Sequence, residues 1–143
     1  MNDSIFSKII RGDAPGSFIY RDETVSVFLD VEGLNPGHCL VVPNQPATCL
    51  AELNPETGKH IFLIAHRIAN LYRTGAVACV KCEGVNLWLS DGEVAGQEVF
   101  HVHLHVVPRF AGDSLTITYD AELWDESRRS QLDEIAFNIR QHL

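Results

Sequence analysis

Three histidines, His101, His103 and His105, alternate with Val102 and Leu104, and the run continues as Val106-Val107-Pro108-Arg109. Successive side chains of a β-strand point to opposite faces, so this spacing predicts a strand with all three imidazoles on one face. Val102, Leu104 and Val106 then enter a core. Imidazole titrates near neutrality, so such a row can move protons or attack phosphorus at physiological pH. One ring serves as nucleophile while its neighbours donate hydrogen bonds to phosphate oxygens. A metal site is the competing chemistry. The row spans about 13 Å at roughly 3.3 Å per residue, too long for three ligands on one zinc at about 2.1 Å. Two of the rings would need His38 or a carboxylate to complete a site, and no Asp or Glu stands at tight spacing beside them. A solvent-facing strand accounts for one histidine more readily than for three in alternation. The Gly96-Gln97 loop ahead of them can also offer backbone N–H groups to an anion.

Other segments must carry this row. Phe18–Arg21 and Val25–Leu29 read as two strands around the short turn Asp22-Glu23-Thr24, a hairpin pattern. Gly33-Leu34-Asn35-Pro36-Gly37 is a loop by composition, and His38–Pro43 follows as a third strand. Asn54-Pro55 is a helix start, an N-cap residue with proline at the first helical position. Ile61, Ile64, Ala65, Ile68, Leu71 and Tyr72 then keep helical spacing up to Thr74-Gly75. Val85–Leu89 is a fourth strand, residues 91–97 a loop, and the histidine strand the fifth. Leu132, Ile135, Ala136, Ile139 and Leu143 form a helical stripe behind Ser130. The pattern is α+β: one five-stranded antiparallel sheet, one main helix on a face of it and a C-terminal helix.

The 143 residues fit a single domain, and 45% hydrophobic composition supplies a core. A net charge of −8 argues against a protein that grips a nucleic-acid backbone. No apolar run approaches the roughly 18 residues of a membrane span. The start, Met1-Asn2-Asp3-Ser4, lacks the basic and apolar parts of a signal peptide, so a cytoplasmic location is expected. Cys79-Val80-Lys81-Cys82 is a Cys-x-x-Cys without a second pair at ligand spacing. A redox motif would open a helix after a strand, whereas this one is expected to close a helix. Reduced cysteines are the expectation.

Gly96-Gln97, then His101-x-His103-x-His105-Val106-Val107-Pro108-Arg109, resembles the signature of the histidine triad family of nucleotide hydrolases and transferases. Ser4–Gly12 resembles that family's opening segment. Val27–Val31 with Asn35-Pro36-Gly37-His38 resembles its nucleoside-binding strand and loop. Together these cover most of residues 4–110. The resemblance implies a single histidine triad domain over residues 1–143 and a homodimer with the main helix and a strand edge at its interface. It implies a purine nucleotide substrate, attacked at the α-phosphate with a nucleotidyl-histidine intermediate, and no cofactor. Nucleoside phosphoramidase and dinucleoside polyphosphate hydrolase activities share that attacked atom.

By the same resemblance His103 matches the nucleophile, and the backbone carbonyl of His101 fixes its ring. His105 and His38 match histidines that hydrogen-bond the phosphate and the bridging or leaving atom. Gln97 matches a phosphate contact from the loop. Asp30 matches the carboxylate that receives the ribose hydroxyls, a role its lone pairs suit. Phe6 and Phe28 match the wall around the base, and Ser90 stands where an asparagine is common. Many members bind zinc through Cys-x-x-Cys in the opening segment with two histidines. Here Ser4 and Ser7 take those places and Asn44-Gln45-Pro46 follows Pro43, so no structural zinc is expected. Glu98 replaces a serine or threonine and would repel a phosphate. A purine-nucleotide-binding protein with little turnover is therefore the alternative reading.

Overall fold

The strands are β1 (Phe18–Arg21), β2 (Val25–Leu29), β3 (Cys39–Pro43), β4 (Gly84–Trp88) and β5 (Leu104–Arg109). They form one antiparallel sheet in the order β1-β2-β3-β5-β4. The helices are α1 (Ile5–Arg11), α2 (Pro55–Arg73) and α3 (Arg129–Arg140). The computed structural model describes residues 3–119 and 128–143. The α+β class, the five strands, the main helix and the C-terminal helix match the sequence pattern. The helix α1 was not anticipated.

The pleat divides the sheet's side chains between two faces. Val27 pairs with Val41, and Val41 with Leu104, while Cys39 pairs with Val106. This face packs on α2, whose Ile61, Ile64, Ala65, Ile68 and Tyr72 are all buried. Their spacing of three and four residues puts them on one stripe of the helix. Each buried aliphatic side chain contributes about 1.5–3 kcal/mol. Asn54 caps α2 by accepting the Glu56 N–H, and Pro55 opens it.

On the other face Phe28 pairs with Leu40, Leu40 with His105, and His105 with Trp88. Phe6 of α1 packs there with Phe28, Leu40 and Val42 as a second core. α1 closes half of this face, and the His105–Trp88 half stays open as a cleft.

The loop between β2 and β3 is tied down at several points. The Asp30 N–H donates to the His38 carbonyl, and the Tyr72 hydroxyl donates to the Gly37 carbonyl at 2.7 Å. Asn35 is buried and its amide donates to Pro108 O and Asp113 Oδ2, each at 2.9 Å. Arg109 grips the same Asp113 through two nitrogens. The guanidinium holds the Asp113 carboxyl well below the usual carboxylate range.

Two expectations change in detail. β3 begins at Cys39 and β5 at Leu104, so His38, His101 and His103 precede the regular ladders. Cys79-x-x-Cys82 does not close a helix. It lies in the connection between α2 and β4, with Cys79 exposed and both thiols free. The stripe of α3 is solvent-exposed at Leu132, Ile135 and Ile139. Among the described residues no helix is long and apolar enough to cross a membrane.

Candidate active site

The open half of the sheet forms a cleft of about 470 Å³, lined by Phe6, Phe28, Asp30, His38, Trp88, Ser90, Glu98, His103 and His105, among others. Eight of the nine residues expected at the site from His103, His105, His38, Asp30, Phe28, Phe6, Ser90, His101 and Gln97 lie at or directly behind it. His101 lies behind, wholly buried. The imidazoles therefore do not all face one way into the cleft as strict alternation predicts. The regular strand starts only at Leu104, and His101 turns its ring between α1 and the end of β3.

The hydrogen-bond partners assign the tautomers. A carbonyl accepts only, so a ring nitrogen facing one carries the proton. His103 Nδ1 lies 2.7 Å from the His101 carbonyl, so it donates and Nε2 keeps its lone pair. A backbone N–H donates only. Leu34 N–H points to His38 Nδ1 at 3.0 Å, which leaves the proton of His38 on Nε2. That Nε2–H donates to His105 Nδ1 at 2.9 Å, so His105 carries its own proton on Nε2. Two backbone groups thus fix one ring as a lone-pair donor and the next as a hydrogen-bond donor. The rings of His103 and His105 stand 4.9 Å apart between centroids.

Burial disfavours the charged imidazolium and depresses all four rings. For His103 burial lowers the pKa against the raising effects of the His101 carbonyl and Asp30. His105 is pushed down to about 4, by burial first and then by His103 and His38. Burial also lowers His38 and His101. Neutral rings with assigned lone pairs are the state present at neutral pH.

Phe6 stands edge-on to His103 at 5.0 Å and to Phe28 at 5.5 Å, forming one wall. Trp88 lies over His105 at 5.3 Å and beside His38 at 6.2 Å. Asp30 sits at the cleft with Oδ2 3.6 Å from His38 Nε2, and its Oδ1 accepts the Glu32 N–H. Ser90 borders the Gly96 turn.

Gln97 departs from expectation. Its side chain is buried and fully engaged, accepting the Gly92 N–H and donating to the Thr48 and Val99 carbonyls. It braces the loop from within and does not reach the cleft. Glu98, set aside on charge grounds, lines the cleft instead. Sequence reading also missed Ser4, the Leu34 N–H and Trp88. Of these only Ser4 carried a signal, as a serine ahead of an apolar run.

Asp30, His38 and His105 bring potential ligand atoms within 4.8 Å of one another. The donor chemistry does not fit a cation, because the Leu34 bond keeps the proton on His38 Nε2 and that proton is given to His105. The position of the family's zinc fits no better. Ser4 and Ser7 offer hydroxyls where thiolates are needed. His101 Nε2 faces the Pro43 carbonyl at 2.8 Å and its Nδ1 faces Ser4 Oγ.

Comparison with known proteins agrees with this geometry. The family model of the HIT domain matches residues 11–112. The protein called hit of Bacillus subtilis is 34% identical over 97% of this chain and 93% of its own length. An adenylylsulfatase of Arabidopsis thaliana, HINT3, is 29% identical over 99% of this chain and 70% of its own. The crystal structure of a HIT family protein from Bacillus anthracis superposes with a TM-score of 0.85 at 34% identity, covering 99% of this chain and 98% of that one. The fold, the histidine row and these matches together place the chain in the histidine triad (HIT) family, a superfamily of nucleotide-binding hydrolases and transferases.

Proposed function

We propose that the protein hydrolyses a phosphorus–nitrogen or phosphorus–oxygen bond at the α-phosphate of a purine nucleotide. The observation that carries this reading is the bare Nε2 of His103 beside the cleft, with Nδ1–H held on the His101 carbonyl. His103 Nε2 attacks the α-phosphorus, a P–N bond to the ring forms, and the bond to the leaving group breaks. The leaving group takes a proton from solvent as it departs, and the water that attacks next returns one. That water attacks the nucleotidyl-histidine, and the P–N bond breaks. The His101 carbonyl supports the positive charge that His103 gains in the intermediate. The His105 Nε2–H donates to a phosphate oxygen or the leaving atom, and His38 keeps it in that tautomer. Asp30 accepts the ribose hydroxyls, and Phe6 and Phe28 bound the base by apolar contact and stacking. The adenylyl group in the name of the Arabidopsis relative accords with this substrate class.

The whole chain is proposed as one histidine triad domain that pairs as a homodimer. Release of AMP from adenosine 5′-phosphoramidate and from diadenosine polyphosphates, with chelator present, tests the activity. Wild type should release AMP, and His103→Ala should release none. His38→Ala and His105→Ala should each lose roughly 10²–10⁴-fold, the usual scale for one proton-transfer group or one hydrogen bond to the transition state. Chelator should not inhibit. Near wild-type turnover by His103→Ala overturns the mechanism. Glu98 favours a second reading, because a carboxylate in the cleft opposes a phosphate. AMP affinity by calorimetry without product from wild type would select that binding role.

A further inference from the structure

We propose that Ser4 is a positioning residue for His103, holding the His101 carbonyl in place through the His101 ring. The inference rests on the hydrolytic reading above. Ser4 is the N-cap of α1, and its Oγ accepts the Ser7 N–H at 3.0 Å. The hydroxyl hydrogen has two acceptors in reach, Ser7 Oγ at 3.3 Å and His101 Nδ1 at 2.7 Å, and the shorter contact to the ring nitrogen is the better bond. The opposite nitrogen, Nε2, donates to the Pro43 carbonyl at 2.8 Å. His101 is 0% exposed, so both ring bonds lie out of water, where such bonds are strong and their loss is felt. Among the described residues no buried side-chain nitrogen or oxygen lacks a partner.

The role follows from where β5 begins. Its pairing with β3 ends at Leu104 opposite Val41, so residues 101–103 have no ladder to fix them. Two backbone bonds hold this segment, His101 N–H to Val99 O and Val102 N–H to Ala47 O. The His101 ring, clamped between α1 and β3, adds the restraint that aims its carbonyl at His103 Nδ1. The same hydroxyl sets the start of α1, and Phe6, two residues on, rests edge-on against His103. One side chain thus ties the ring's hydrogen-bond acceptor to its packing wall. Ser7 is a poor substitute, since its Oγ stands 3.5 Å from His101 Nδ1, beyond a good hydrogen bond.

The test is steady-state kinetics of the full chain on adenosine 5′-phosphoramidate, comparing wild type with Ser4→Ala, Ser4→Gly, Ser4→Thr and Ser7→Ala. Glycine is nearly as good an N-cap as serine, so Ser4→Gly deletes the donor while sparing the helix start. Ser4→Ala and Ser4→Gly should lose roughly ten- to a hundred-fold in kcat, the scale of a misplaced reacting group. KM and calorimetric AMP affinity should move less than about three-fold, as for a group acting in the transition state. Ser4→Thr should recover most of the lost kcat, and Ser7→Ala should behave as wild type. Unchanged kcat in Ser4→Gly overturns the proposal, as does an equal loss of kcat and AMP affinity. Wild type without turnover refutes the hydrolytic reading instead. The nitrogen NMR of the imidazoles then decides Ser4 alone. Wild type should show His101 protonated on Nε2 and His103 on Nδ1, with the His103 assignment averaging in Ser4→Gly. A fixed His103 tautomer in that variant overturns the proposal. A proton on His101 Nδ1 in wild type overturns it as well, whether or not any variant folds.

Discussion

His105 is held neutral by its surroundings, and this has a pH signature. Its pKa falls from an ordinary 6.5 to about 4 in the fold. Between those values the unfolded chain binds more protons than the folded one, so stability rises with pH across that window. Below it the contribution is lost, and above about 6.5 it is complete. The melting temperature should therefore decline as pH drops from 6.5 towards 4, with a shallower decline in His105→Asn. An identical slope in that variant would assign the loss to other groups. Turnover should follow the same direction, flat through neutrality and falling in acid as the rings charge. At this scale the sequence was most legible where residue type and spacing alone decide chemistry. His103, His105, His38 and Asp30 meet in one cleft because strand alternation and a short loop bring them there, whereas His101, ahead of the regular strand, is buried behind it. Gln97 was misplaced because its partners are the carbonyls of Thr48 and Val99 and the N–H of Gly92. Long-range closure of a loop leaves no mark on local sequence.

Among the elements, the β2–β3 loop does the finest positioning. Gly37 precedes His38 with φ of +96°, and a Cβ there would meet both Val80 methyls at 2.8 Å. Its carbonyl also accepts the Tyr72 hydroxyl. Left-handed backbone costs a non-glycine residue about 1–2 kcal/mol, and overpacking adds about 1–3 kcal/mol. Gly37→Ala should therefore lower unfolding free energy in urea by roughly 2–5 kcal/mol and slow turnover, since His38 shifts with it. A variant as stable as wild type would show that Val80 yields freely. Composition marked residues 33–37 as a loop but did not single out which glycine is indispensable. α2 was readable through its cap and long apolar stripe. α1, with seven residues, is too short for periodicity to declare it, and it depends on the Ser4 cap and on docking against the sheet.

At the level of the whole molecule, the homodimer proposed above would draw on exposed apolar groups. β4 is an edge of the sheet, and Phe62 and Leu63 are more than half exposed on α2. α3 exposes Leu132, Ile135, Phe137 and Ile139. Exposed apolar surface accompanies protein interfaces where it is contiguous. Light scattering should give twice the chain mass of 15.9 kDa, and a value of one chain mass would exclude the homodimer proposed above. Composition alone carried no trace of pairing, because self-association is a property of surface arrangement. Trp124, weighed from sequence as a partner contact or a cap on the core, lies outside the described residues.

Trp88 gives the cleft an optical consequence. Its indole lies 5.3 Å from the His105 ring and 6.2 Å from that of His38. An imidazolium quenches indole emission, whereas a neutral imidazole does so weakly. With Trp124→Phe removing the second of the two tryptophans, the fluorescence of Trp88 is a built-in gauge of the charge on the histidines beside it, readable without substrate or label.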